Sequence, residues 1–113
     1  MDWFIKQTFV CPNTGTAFAL ATCMRNLKLI LWYRGDYFLR EGNILSTSPY
    51  GLIVNGKERE LVIMHAFPFS STLWTSFRNN IHCPGNNHPF IRECAERWKC
   101  LFENCPYGIS KEQ

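Results

Sequence analysis

Tyr50-Gly51-Leu52-Ile53-Val54-Asn55-Gly56-Lys57, followed after Glu58 and Arg59 by Glu60-Leu61-Val62-Ile63-Met64-His65, is the stretch that decides the fold class. Two apolar runs joined through an Asn-Gly step predict a β-hairpin, because both turn residues tolerate the positive φ of a tight primed turn. Neither run alternates polar with apolar, so the pair is expected in the middle of a sheet, covered on both faces. Upstream, residues 3–10 and 16–23 are rich in strand-forming residues and flank Cys11-Pro12-Asn13-Thr14-Gly15. Pro, Asn and Gly supply turn chemistry there, and a second hairpin follows. Residues 26–33 predict a further strand, closed by Arg34-Gly35-Asp36, before residues 37–40 and another break at Glu41-Gly42-Asn43.

Downstream of Phe67-Pro68-Phe69 the pattern changes. Residues 70–80 fit a short helix or an irregular arm, and Cys83-Pro84-Gly85-Asn86-Asn87-His88-Pro89 is a loop by composition. Behind Pro89, the positions Phe90, Ile91, Cys94, Trp98, Leu101 and Phe102 recur at helical spacing. An amphipathic helix results, with Arg92, Glu93, Glu96, Arg97 and Lys99 facing water. The fold class is therefore α+β, a mostly antiparallel sheet with one C-terminal amphipathic helix, in a single domain over residues 1–113.

Composition agrees with a folded chain. Of the 113 residues, 46% are hydrophobic and 15% aromatic against 19% charged, which excludes a disordered, highly charged tail. Four Trp, four Tyr and nine Phe are more than a core of this size needs, so some aromatics are expected at a binding surface. A net charge of +3 is below the electrostatic footprint of a nucleic-acid binder. No apolar run approaches the roughly 18 residues of a membrane span, and residues 1–6 lack a basic leader before an apolar block. A soluble chain made in the cytosol is the expectation.

Six cysteines, Cys11, Cys23, Cys83, Cys94, Cys100 and Cys105, are expected as thiols, since nothing points to an oxidising compartment. A cysteine by itself reads as a small buried hydrophobe, and Cys94, on the apolar side of the helical pattern, reads so. Two chemistries stay open. Cys83-x4-His88 and Cys100-x4-Cys105 offer four S or N ligands for zinc, with His82 as a spare, although neither pair is the tight knuckle of a structural site. Alternatively, Cys105 acts as a nucleophile and His65, at the end of a strand, as its base.

The order Arg34-Gly35-Asp36, Tyr50-Gly51-Leu52-Ile53-Val54-Asn55-Gly56, Leu61-Val62-Ile63-Met64-His65 and Phe102-Glu103-Asn104-Cys105 resembles the H-box/NC family, lecithin:retinol acyltransferase-like and NlpC-type. At this length the chain looks most like the 2A proteins of parechoviruses and kobuviruses. The resemblance implies an open-barrel variant of the sheet, with Cys105 as nucleophile and His65 as a supporting histidine. Pro49 stands where the family's H-box histidine belongs and can neither take nor give a proton, so the dyad is expected to be degenerate. Only residues 106–113 follow Cys105, which shortens the helix that carries the family's nucleophile.

The resemblance thus implies a non-structural viral protein, catalytically inactive, that supports replication in the host cytoplasm or nucleus by binding host proteins or RNA without a cofactor. Trp74, Phe77 and Arg78 sit in an otherwise polar segment and are the candidate contacts, since hot spots and RNA stacking platforms use aromatics with Arg. Covering the sheet edge is the other use open to Trp74 and Phe77. The alternatives are a Cys-His acyltransferase or phospholipase using Cys105, and a zinc-stabilised regulatory module on Cys83, His88, Cys100 and Cys105.

Overall fold

A computed structural model gives the arrangement of residues 2–49, 51–87, 94, 97–102 and 104–109. The strands are β1 (Asp2–Cys11), β2 (Thr16–Thr22), β3 (Lys28–Gly35), β4 (Ile44–Ser48), β5 (Gly51–Val54), β6 (Lys57–Arg59) and β7 (Leu61–Pro68). Among the described residues two helices, α1 (Ser71–Asn80) and α2 (Pro84–Asn87), and a 3-10 turn at Arg97–Lys99 follow. All seven strands form one antiparallel sheet in the order β6-β5-β4-β1-β2-β3-β7. The α+β class and the mostly antiparallel sheet are as the sequence predicts; the sheet is curled but not closed into a barrel.

β2 shows why it curls. Ala17, Ala19 and Ala21 point to one face and Phe18 and Leu20 to the other, and all five are buried. Small side chains on the inner face let the sheet bend tightly. The inner core gathers side chains from both ends of the strand order, Val54 of β5 and Leu61 of β7 among them, around Ile5, Leu31 and Tyr33. The outer face of β1–β3 carries a second core, Phe9, Phe18, Leu20 and Ile30, closed by Trp74 of α1. A register shift between Ile5 and Gln7 reverses the facing of β1, which is how Ile5 and Val10, of opposite parity, share the inner core.

The hairpin at Asn55-Gly56 forms, with φ of 51° and 84°, but its second strand is β6. The apolar run after Glu60 leaves for the far edge and pairs with β3. One residue makes that crossing. Glu60 N–H donates to Asp36 Oδ1 (3.2 Å), and Asp36 N–H donates to the Glu60 carbonyl (3.2 Å). Gly35 is required beside them, since a Cβ there would strike the Glu60 carbonyl. Instead of lying centrally, β7 is thus an edge strand, with its apolar run partly in water. β4, which the sequence pattern does not mark, bridges β1 and β5. Residues 37–40 form a loop pinned by Leu39, whose N–H donates to the buried Tyr33 hydroxyl (2.8 Å).

The C-terminal amphipathic helix falls largely on residues outside those described. Where residues are described, the predicted facing fails at three positions, Arg97 being buried and Trp98 and Leu101 71% and 63% exposed, and holds at Lys99, which is exposed, and Phe102, which packs against the inner core. Arg97 can be buried because its Nε donates to the Ile109 carbonyl and its Nη1 to the Phe102 carbonyl, both at 2.8 Å.

Candidate protein-binding surfaces

The thiol and imidazole chosen from sequence do not meet. Cys105 is half-buried and lines a cavity of about 470 Å³ with Ala17, Tyr33, Asp36, Arg40 and Phe102, on the inner side of the sheet. His65 is exposed on β7, and its ring lies 4.3 Å from that of Phe67, which belongs to the outer core. Cys105 thus faces the inner-side cavity, which His65 does not line, whereas His65 packs beside the outer core. Pro49 sits in the turn between β4 and β5.

Cys83 packs against the inner core, and burial pushes its thiol above the ordinary range. Cys100 is half-buried after the 3-10 turn, and His88 lies outside the described residues. Among the described residues no group of three or more His, Cys, Asp or Glu side chains could hold a metal ion. All six cysteines are free thiols.

Trp74, Phe77 and Arg78 lie on α1, which Ser70 caps by accepting from Leu73 N–H (3.3 Å). Trp74 is buried edge-on against Phe9, and its Nε1 donates to Gln7 Oε1 (3.2 Å). Phe77 is half-buried between Phe18 and Phe67, with ring centroids at 4.9 and 5.4 Å. Arg78 is exposed and borders a second opening, lined also by Lys6, Arg40 and Asn86.

A C-terminal segment covers one mouth of the curled sheet. Asn86 mimics a strand residue: its Nδ2 donates to the Val10 carbonyl (2.9 Å), and its Oδ1 accepts from Val10 N–H (2.8 Å) and the Tyr107 hydroxyl (2.6 Å). The Tyr107 ring rests on Gly85, where any Cβ would collide with it. Burial holds the Tyr107 phenol well above its usual range, with nearby Cys83 and Cys105 adding to the shift. Leu101 N–H donates to the Pro12 carbonyl (2.9 Å), and Arg40 Nη2 to the Pro106 carbonyl (3.2 Å).

The two sheet edges differ in chemistry. β6 is three residues long and wholly charged, Lys57-Glu58-Arg59. β7 is eight residues long without a charge, and Val62 and Met64 are 51% and 40% exposed. Sequence reasoning missed this surface; the signal was the same uncharged apolar run, read as doubly buried. Among the described residues no helix is long and apolar enough to cross a membrane.

A family model described as IraM/PmrD family matches residues 1–75. The chain is 52% identical over 108 residues to the anti-adapter protein IraM of Citrobacter koseri, covering 96% of this chain and 95% of that one. It is 30% identical over 112 residues to the anti-adapter protein IraM of Escherichia coli O127:H6, covering 99% and 98%. The crystal structure of E. coli PmrD is similar with a TM-score of 0.59 at 17% identity, covering 73% of this chain and 100% of that chain, a likeness of fold.

These findings overturn the H-box/NC and viral 2A resemblance, whose motifs were short and shared only their order. With it go the viral replication role, the host-protein and RNA partners, and placement in a host cytoplasm or nucleus, since the relatives are bacterial. The acyltransferase and zinc-module readings of the function fall too, because the relatives carry the name of anti-adapter proteins.

Proposed function

We propose that this chain, which belongs to the IraM/PmrD family, is an anti-adapter: it binds an adapter protein and keeps that adapter from its work. The observation that carries the reading is the likeness to an anti-adapter protein at 52% identity over 96% of the chain. The geometry is compatible with it, because such a role requires a stable surface and no reacting group. The curled sheet supplies that rigidity, with one core inside and a second under α1.

The test is titration of the purified chain into the purified adapter countered by the Citrobacter koseri relative, with the adapter's own activity followed in parallel. Saturable binding that removes this activity is expected. No binding at concentrations well above those in the cell would sink the reading.

A further inference from the structure

The asymmetry of the two edges carries the inference. A sheet edge presents unpaired backbone N–H and C=O groups, and proteins block such edges by keeping them short, charged, bulged or covered. β6 is both short and charged. β7 hydrogen-bonds to β3 along its length and, among the described residues, no strand pairs with its other side. Its eight residues bring no charge to that side, and Val62, Met64, His65 and Ala66 are all exposed.

We propose that the open edge of β7 is where the adapter docks, by laying an extended, uncharged segment of its own against it as an additional strand; this rests on the anti-adapter reading. Main-chain hydrogen bonds would supply the ladder, and apolar side chains beside Val62 and Met64 the selectivity. An uncharged segment is the fit because β7 offers no side-chain charge, so an ion brought against it would be desolvated without a partner.

A second copy of this chain fits worse. The ladder irregularity of β7 falls between Ile63 and His65, near the middle of the strand. Two copies pairing β7 with β7 about a two-fold axis would bring both irregularities to that axis. A foreign segment has no such symmetry and can pair on one side of Met64.

The experiment measures adapter binding by the wild-type chain, Val62→Lys, Met64→Lys and, as a control on the opposite edge, Glu58→Gln. Both lysine side chains would start from exposed positions, and circular dichroism checks that the sheet is kept. Expected are wild-type binding, a loss of about tenfold or more in each lysine variant, and unchanged binding in Glu58→Gln. In the wild-type complex, hydrogen exchange should show new protection of β7 amides, a readout that stands even if a variant fails to fold. Binding that both folded lysine variants retain, or no new β7 protection, would overturn the edge proposal while leaving the anti-adapter reading intact. Failure of the wild-type chain to bind would overturn the anti-adapter reading itself. Sedimentation showing a wild-type dimer that Met64→Lys dissolves would overturn the choice of a foreign strand.

Discussion

Asn86 makes three hydrogen bonds with one amide, two to the backbone of Val10 and one to the Tyr107 hydroxyl. Val10 is buried, so Asn86→Ala would leave its backbone groups without these partners and release Tyr107. The expected cost is about 1–3 kcal/mol, read from urea unfolding. Gly85→Ala should perturb the same joint from the other side, because the added methyl meets the Tyr107 ring. From sequence, Pro84-Gly85-Asn86-Asn87 signals a turn, and nothing in it announces that its amide side chain will bond to a strand far away. That partnership exists only once β1 and the C-terminal segment are side by side.

At the scale of elements, α1 is held less by its own sequence than by what it covers. Its turns carry polar residues around Trp74, and Trp74 closes the outer core over Phe9 and Phe18. Trp74→Ala is expected to cost about 3–5 kcal/mol, measured by chemical denaturation, with Trp74→Phe recovering much of the packing but not the bond to Gln7. If Trp74→Ala left stability unchanged, the helix would be an ornament to the sheet. The fall of β7 at an edge is the other lesson at this scale. A continuous apolar run predicts burial on both faces, yet here one face of Leu61 and Ile63 meets the inner core while Val62 faces water.

For the whole molecule, the inner core sets a pH limit. Tyr33 lies deep in that core and Tyr107 packs against it, and burial raises both phenols above their ordinary range. In the unfolded chain tyrosines ionise near about pH 10. Because the folded-state values are raised, the stability these groups contribute is complete below about pH 10 and is lost as pH climbs towards them. The urea midpoint should therefore fall on the alkaline side, and Tyr107→Phe should make that fall shallower. An identical alkaline fall in Tyr107→Phe would count against Tyr107 as a source.

The strands β1 to β3, their turns and the turn at Asn55-Gly56 were legible because turn chemistry and β propensity act over a few residues, although the strand that pairs after that turn is β6 and not the apolar run after Glu60. The antiparallel α+β class followed from them. The sheet order and the destination of β7 were not legible, because they turn on Glu60, where Gly35 admits the close approach and Asp36 takes the N–H. Likewise the burial of Arg97 and the facing of Trp98 and Leu101 depend on carbonyls that arrive from residues 102 and 109. By itself the sequence determined most of the strands and their turns, though not β4 or β6, since those preferences are local. Tertiary structure decided which edge was left open and which histidine and cysteine stayed apart, since both depend on how strands distant in the chain are paired.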